Sequence, residues 1–135
     1  MIHRIIEIAQ WTCELYVSLD TYWIEAITKS FLDCGASPSV IHRIRRNMVR
    51  NNMNSGFTYS NPDIRRSVMV IGRTSSGAQF LNSFVHELRH LIDDIAVADG
   101  MGMSGEAVAY LSGDTAMLVA DIVCQMSCDH CRSHS

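Results

Sequence analysis

The sequence predicts a small α+β domain in which a short, mostly antiparallel sheet packs on about four helices. The chain has 135 residues, 47% of them hydrophobic and 19% charged, which is typical of a single globular domain. Short groups of β-branched and aromatic residues near the N-terminus and in the middle of the chain predict strands. Elsewhere, apolar residues recur at three- and four-residue steps, which predicts helices. We expect residues 1–135 to form this one domain, with an irregular tail from about residue 127.

Four strands are predicted. Residues 13–17 alternate polar with apolar side chains, which indicates a half-buried strand. The β-favouring residues 5–8 are interpreted as a strand before it, although a helix would also fit. Residues 57–60 and 67–71 form two further strand-like groups, and the turn-forming residues 61–63 connect them.

Two helices are predicted between these pairs of strands. The first begins at Asp20 and ends before Gly35, because glycine is a frequent left-handed stop. The second begins at Ser37, with Pro38 at its first position, and continues to about Met53. Asparagine, serine and glycine follow it and mark a turn.

The best helical pattern follows the last strand. Ser76 and Gln79 have the spacing of a capping box, and Gly100 supplies a left-handed stop. The apolar stripe expected to face the core comprises Leu81, Phe84, Val85, Leu88, Leu91, Ile92 and Ile95. A further helix is predicted to begin at Ser104, which is a good N-cap residue.

The third predicted helix carries the motif His-Glu-x-x-His. At about 100° per residue, His86 and His90 lie one turn apart on the side away from the apolar stripe. Two imidazoles so placed can bind one tetrahedral metal ion, and Glu87 is offset enough to address a metal-bound water. Two solvated histidines would give the same pattern. The apolar residues around the motif and a ligand downstream favour one Zn²⁺ per chain.

Glu106 is the preferred third ligand. It lies in the first turn of the next predicted helix, where the helix dipole favours a carboxylate. It also shares its side of that helix with a stripe of small residues that would let two helices approach closely. The stripe comprises Ala109, Gly113, Ala116 and Ala120. Asp114 and the nearer Asp93, Asp94 and Asp99 are alternative ligands.

The motif at residues 86–90, followed by Gly-Glu-Ala-Val-Ala-Tyr at residues 105–110, resembles the gluzincin group of zinc metallopeptidases. The chain is also similar to the small zincin-like proteins of phage and prophage genomes, in which one minimal domain forms the whole protein. The resemblance is specific over residues 66–114. It implies that His86 and His90 hold the zinc together with the glutamate at position 106.

The resemblance implies further roles. In thermolysin-like members an aspartate four residues after the ligand glutamate orients a zinc histidine. That position is Tyr110 here, and its phenol can accept an imidazole N–H but adds no charge. In the same enzymes the strand before the motif helix pairs with an extended peptide substrate. This role would fall to Val68, Val70 and Gly72.

Peptide-bond hydrolysis is the function that these residues predict. Glu87 would take a proton as a zinc-activated water attacks the carbonyl, and would then deliver that proton to the leaving amine. A further donor to the oxyanion is expected from Tyr59, Tyr110 or His130. Two alternatives stay open: a catalytically silent zincin-like domain that binds metal and a partner, and a nucleic-acid-associated module.

Charge and composition bear on the partners. The net charge is −3, with seven arginines against one acid in residues 42–73 and eight acids against one arginine in residues 86–129. The basic part could meet nucleic acid or face the acidic half of the chain. Because no base-reading motif is present, a peptide or protein substrate is the expected partner and nucleic acid is not.

The remaining features concern compartment and tail. No apolar run approaches the roughly 20 residues of a membrane span, and the charged N-terminus does not resemble a secretory signal. Five scattered cysteines indicate a reducing interior, so the expected location is the cytoplasm of a bacterium or phage-infected host. The soft-metal ligands of the tail are Cys124, Cys128, His130, Cys131 and His134. Without paired C-x-x-C knuckles, a second zinc there is the alternative to small buried cysteines.

Overall fold

The computed structural model describes residues 1–18, 23–49 and 56–132. In this part of the chain the predicted α+β fold is confirmed, with one four-stranded sheet and six helices. The strands are β1 (Ile2–Ile8), β2 (Trp11–Val17), β3 (Phe57–Asn61) and β4 (Arg66–Ile71). The helices are α1 (Ile24–Asp33), α2 (Pro38–Val49), α3 (Gly77–Ala98), α4 (Glu106–Leu118), α5 (Ala120–Ser127) and α6 (Asp129–Arg132). Each strand covers the residues from which the sequence predicts it.

The sheet consists of two hairpins joined through their inner strands. The strand order is β1-β2-β4-β3, with β1 antiparallel to β2, β3 antiparallel to β4, and β2 parallel to β4. The outer strands of the described sheet are therefore β1 and β3. By contrast, β4 is paired along both of its edges.

Arg65, in the turn between β3 and β4, holds the turn between β1 and β2. Ala9 and Gln10 have positive φ angles of 53° and 58°, as a two-residue turn between twisted strands requires, although neither is Gly or Asn. Arg65 donates from Nη2 to Ala9 O at 2.6 Å and from Nε to Gln10 O at 3.0 Å. Its Nη1 binds Asp99 Oδ1 at 2.7 Å, and this hydrogen bond lowers the pKa of Asp99. One side chain thus joins the first hairpin to the end of α3.

Helices cover both faces of the sheet, so the domain has three layers. On one face, α1 and α2 pack on a cluster of Tyr16, Ile27, Phe31, Cys34, Ala36, Ile44, Met48, Val68 and Val70. On the other face, α3, α4 and α5 enclose a larger cluster that includes Trp11, Leu15, Ile71, Phe80, Phe84, Leu91, Ile92, Ile95, Leu111 and Ile122. Alternation along the strands divides the clusters: in β4, Val68 belongs to the first and Met69 to the second.

The ends of α3 are capped largely as the sequence predicts. Ser76 Oγ accepts from Gln79 N at 3.1 Å. The returning bond of the capping box goes one residue further back, because Gln79 Oε1 accepts from Ser75 N at 3.1 Å. At the other end Gly100 has a φ of 67°, and Met101 N donates to Ala96 O at 2.8 Å, which closes a left-handed stop.

The buried face of α3 differs from the predicted stripe. Leu81 and Val85 are 44% and 54% exposed, whereas Phe80 and Glu87 are buried. One flank of the inner face of α3 lies against the edge strand β3, where Thr58 donates to Glu87 Oε1 at 2.7 Å. The carboxylate of Glu87 therefore occupies a buried position that hydrophobic periodicity assigns to the solvent-exposed face of the helix.

The helix after the glycine-rich connection also differs from its prediction. Its N-cap is Gly105 rather than Ser104, and no side-chain cap is formed. The predicted helix–helix contact through small residues is wrong, because α4 buries Val108, Leu111 and Thr115, while Ala109 and Gly113 are exposed. A Cβ atom at Gly113 would meet nothing within 4 Å.

The helix count exceeds the expected four for two reasons. The last predicted helix breaks at Val119, which separates α4 from α5, and the tail expected to be irregular forms the short helix α6. In the described part of the chain, no single helix has the length and hydropathy of a membrane span. Only α4 and α5 taken together reach them, and the two are bent by 69°.

The two helices between the hairpins end and begin as predicted where the structure describes them. Gly35, with a φ of 88°, follows α1, and Ser37 precedes Pro38 at the start of α2. Val40 N donates to Ser37 Oγ at 3.4 Å. The predicted start at Asp20 and end near Met53 lie outside the described residues.

Gly77, the first residue of α3, marks a close contact that predicts a large effect on stability. A Cβ atom there would stand 1.9 Å from Ser127 O, a backbone atom that cannot move independently. We expect Gly77→Ala to lower the free energy of unfolding by about 1–3 kcal/mol or more, as overpacked sites do. Urea denaturation measures this change.

Gly113→Ala is the matched control. Gly113 lies in the interior of an exposed helix face with open space around it. We expect this substitution to raise the free energy of unfolding by about 0.5–1 kcal/mol, because alanine loses less backbone entropy on folding. Equal effects of the two substitutions would show that the Gly77 contact does not constrain the fold.

Candidate metal centre

The two motif histidines lie side by side on the exposed face of α3. Their Nε2 atoms are 3.3 Å apart, and their ring planes are 74° to one another with centroids 4.9 Å apart. Two ligands at about 2.0–2.1 Å from a tetrahedral zinc ion are separated by about 3.3–3.4 Å. The same separation suits an N–H···N hydrogen bond between two neutral rings. His86 and His90 therefore have the spacing of a bidentate zinc ligand pair.

Glu87 points away from the pair, towards β3. Its side chain is buried, with 5% of the residue exposed. Thr58 Oγ1 donates to Glu87 Oε1 at 2.7 Å and lies 3.4 Å from the backbone carbonyl of the same residue. The carboxylate is thus held between α3 and the edge strand, one residue along the helix from the first imidazole.

Gly56, immediately before β3, makes room for this carboxylate. A Cβ atom at Gly56 would stand 2.7 Å from Glu87 Oε2 and 2.9 Å from its Cγ. No larger side chain fits there unless Glu87 moves. Glycine at this position therefore allows the backbone to approach the second carboxylate oxygen.

The acidic residues considered as alternative ligands on α3 have partners within the fold. Asp93 accepts from Arg89 Nε at 2.7 Å, and Asp94 accepts from Ser60 Oγ at 2.6 Å. Asp99, just beyond the helix, is bound by the arginine of the β3–β4 turn. Each carboxylate contributes to local structure at a place other than the imidazole pair.

Glu106 lies in the first turn of α4 and is exposed. Tyr110 and Asp114, further along that helix, are exposed too. Over residues 1–18, 23–49 and 56–132, no three His, Cys, Asp or Glu side chains converge to hold a metal ion. The structure therefore brings His86 and His90 together but does not add Glu106 to them. The donor set fits zinc in its two imidazoles and is incomplete in its third ligand.

Tyr59 lies on the wrong side of the sheet to act as an oxyanion donor at this site. Its hydroxyl donates to Gly35 O at 3.3 Å, and its ring packs against Phe31 in the layer formed by α1 and α2. Because side chains alternate along a strand, the neighbour Thr58 faces α3 instead. The candidate His130 lies in α6.

The predicted substrate strand is also wrong. Val68 and Val70 are in β4, whose backbone pairs with β2 on one side and β3 on the other, so neither edge is open to a peptide. Gly72, the third residue of this prediction, follows the end of β4. The strand with an open edge beside α3 is β3.

Sequence reasoning missed Thr58 and the polar chain next to it. Trp11 Nε1 donates to Ser67 Oγ at 2.8 Å, and Ser67 and Ser60 share a hydrogen bond of 2.6 Å. Ser60 in turn donates to Asp94. The signal was available in the alternation of β3, where aromatic residues on one face leave threonine and serine on the other.

An open groove runs along the first half of α3. Its volume is about 520 Å³, and it is lined by Thr74, Ala78, Gln79, Asn82 and Ser83. Asn82 lies one helical turn before His86, and neither motif histidine lines the groove.

Several arginines of the basic part have partners within the chain. Arg45 binds Glu25 on α1 at 2.9 Å, and Arg43 stacks over the ring of Phe57 at 5.3 Å. Arg65 is held as described above. The charge asymmetry of the sequence thus serves intramolecular contacts at these positions.

Comparison with known proteins adds no relative. No protein-family model, no curated protein and no solved structure matches the chain. The assignment of function therefore rests on the residues of the site.

Proposed function

We propose that this protein is a zinc-dependent peptidase whose metal is anchored by His86 and His90. The observation that carries the proposal is the 3.3 Å separation of the two Nε2 atoms, which suits one tetrahedral ion. The site lies on a 22-residue helix, so the two imidazoles are positioned by a rigid element. The open edge of β3 lies beside the same helix, which leaves space for an extended substrate.

Zinc held by His86 and His90 would supply Lewis-acid chemistry, which makes a water nucleophilic at neutral pH and polarises a carbonyl. Glu87 would act as the general base and then as the general acid towards the leaving amine. Thr58 orients the carboxylate through Oε1, and Gly56 lets the chain pass close to Oε2. These contacts hold the base at a fixed angle to the imidazole pair, which reduces the entropy lost on reaching the transition state.

Glu106 is assigned as the third ligand from the gluzincin resemblance. Completing the site requires the first turn of α4 to come closer to α3. The connection between the helices contains Gly102, around which a Cβ atom would meet nothing within 4 Å. Glycine lacks a Cβ atom, so it allows the backbone of this connection a wider range of conformations than other residues do.

The peptide would lie along β3. This strand is at the edge of the described sheet and contacts α3 through Thr58 and Ser60. An extended peptide can add to such an edge through main-chain hydrogen bonds. The bond from Thr58 to Glu87 would then place the base beside the bound peptide.

The test is cleavage of a mixed peptide pool by the full chain, with new termini identified by mass spectrometry. We expect zinc-loaded protein to cleave, chelator-treated protein to lose this activity, and one equivalent of zinc to restore it. Cleavage that persists after complete removal of zinc would contradict the proposal.

A zinc-binding module without catalysis is the second candidate. It is favoured by the burial of Glu87 and by its hydrogen bond from Thr58, since a carboxylate that joins a helix to a strand needs no other role. Protein that binds zinc stoichiometrically and produces no new peptide termini would support this candidate over the peptidase.

A further inference from the structure

Three of the five cysteines lie together at the C-terminal end of the described chain. Cys124, Cys128 and Cys131 are exposed, whereas Cys13 and Cys34 are buried. This arrangement differs from the small buried cysteines that helix ends often contain. All five are free thiols, so the exposed three are available for reaction.

Cys128-Asp129-His130-Cys131 has the spacing C-x-x-C, and its backbone forms one closed turn. Cys128 is extended (φ −92°, ψ 117°) where α5 ends, and α6 then turns the chain back. Arg132 N donates to Cys128 O at 2.9 Å, which closes this turn. Because residues three apart on a helical turn are neighbours, Cys128 and Cys131 lie on the same side of this turn.

The turn that carries the two thiols is fixed to the start of α3 on both sides. Asp129, between the cysteines, accepts from Gly77 N at 2.9 Å. Arg132, directly after them, donates to the carbonyl of Thr74 and to its Oγ1 at 3.1 Å. Ser127 O, directly before them, lies against Gly77 so closely that a Cβ atom has no room. Such anchoring keeps the dithiol in one geometry through a reaction cycle.

We propose that Cys128 and Cys131 form a thiol–disulfide exchange site that acts on a disulfide of another molecule. Cys128 is the nucleophile and Cys131 is the resolving thiol. The spacing, the closed turn that carries both cysteines and the exposure of both residues carry this assignment. It is independent of the metal centre.

The reaction balances without a further reagent. The Cys128 thiolate attacks one sulfur of the partner disulfide, so that a mixed disulfide forms and one partner thiolate leaves. The Cys131 thiol gives its proton to the first partner thiolate and its sulfur attacks Cys128, which releases the second partner thiolate. That thiolate takes up the proton that Cys128 released on ionising. Two electrons pass from the dithiol to the partner, which becomes a dithiol, and Cys128 and Cys131 become a disulfide. Both steps are reversible.

The electrostatics of the turn agree with these roles. The backbone N–H of Cys131, the Cys131 thiol and the backbone N–H of His130 lower the pKa of Cys128. The pKa of Cys131 is raised, because its thiol proton is held by Cys128. Burial raises the pKa of Cys13 to about 12, so this residue stays a thiol.

The test exposes the reduced full chain to glutathione buffers of increasing oxidation, quenches it with acid and maps disulfides by mass spectrometry. We expect one intramolecular bond, between Cys128 and Cys131. Cys131→Ser should instead accumulate a mixed disulfide of glutathione with Cys128, and Cys128→Ser should accumulate neither. Cys124→Ser is the matched control, because this exposed cysteine lies one turn away and has no part in the proposed exchange.

Two further measurements complete the test. At pH 6 we expect iodoacetamide to alkylate Cys128 at least about tenfold faster than Cys124, as thiolate character dictates. Reduction of insulin by dithiothreitol distinguishes a protein disulfide from a small one as the partner. Acceleration by the wild type but not by Cys128→Ser assigns protein disulfides, and reaction with glutathione alone assigns small ones.

Three outcomes would overturn the proposal. The first is a chain in which Cys128 and Cys131 stay reduced in fully oxidised glutathione. The second is a disulfide or mixed disulfide that forms through Cys124 in preference to the pair. The third is zinc that stays bound in the His86→Ala/His90→Ala variant while Cys124, Cys128 and Cys131 are protected from alkylation. This result would identify the tail as a metal site instead.

Discussion

His86→Ala and His90→Ala are each expected to remove zinc from the protein. The wild type should contain about one zinc per chain. Each variant should lose at least about 100-fold in zinc affinity, because a direct ligand contributes more than the outer partners whose loss costs 10- to 100-fold. Both side chains are exposed, so neither substitution opens a cavity in the core. Elemental analysis and competition with a chromogenic chelator measure the change.

His42→Ala is the matched control for these variants. His42 is an exposed histidine on α2, on the opposite side of the sheet from α3. We expect it to leave zinc content unchanged. Full zinc content in the double variant His86→Ala/His90→Ala would contradict the proposed centre.

Glu106→Gln reports on the third ligand. It keeps the shape of the side chain and lies in an exposed helical turn, so the fold should be unaffected. Weaker zinc binding by this variant indicates that α4 approaches α3 in the metal-bound protein. Unchanged affinity would assign the third position to another group. Asp114→Asn, at a further exposed carboxylate of α4, is the first variant to compare.

The strands and several helix ends could be predicted because their signals are local. Alternation over five residues identified β2, and the positive φ of Gly35 and Gly100 lies where each glycine ends a helix. The β1–β2 turn carries no such signal. Its positive φ angles are found at Ala9 and Gln10, whose carbonyls are bound by Arg65 from another hairpin.

The candidate site was predictable only in part, for a related reason. The imidazole pair follows from the helical period, because four residues return a side chain to the same face. The burial of Glu87 depends on an edge strand about 30 residues away in the sequence, which hydrophobic periodicity cannot include. The position of Glu106 depends on the path of a glycine-rich connection, which no local pattern specifies.

The strand order of the sheet explains why the substrate strand was misassigned. The prediction followed chain order, in which β4 immediately precedes α3. In the sheet, however, β4 is internal, and β3 takes the edge next to the helix. Thr58 and Tyr59 differ by one residue, yet only the first faces the candidate site. A one-residue step along a strand exchanges the two faces.

Glu87→Gln is expected to lower peptidase activity by about 10²–10⁴ while zinc stays bound. Glutamine has nearly the same size, and its Oε1 can still accept the hydrogen bond from Thr58. It cannot take up a proton, so the rate should fall by the factor of about 10²–10⁴ that general base catalysis contributes. The loss should be in kcat, since the amide does not alter the edge of β3 along which the peptide would lie. Steady-state kinetics and zinc content, measured on the same sample, check this result.

Thr58→Val separates this catalytic role from a structural one. Valine has the shape of threonine but removes the hydroxyl that binds Glu87 Oε1. We expect the free energy of unfolding to fall by about 1–3 kcal/mol, the penalty for a buried acceptor left without its partner. Activity should fall much less than in Glu87→Gln, because the carboxylate can still accept a proton. If Glu87→Gln cleaves as fast as the wild type, Glu87 is not the base. If it loses both zinc and stability, its carboxylate holds the metal or the fold rather than the proton.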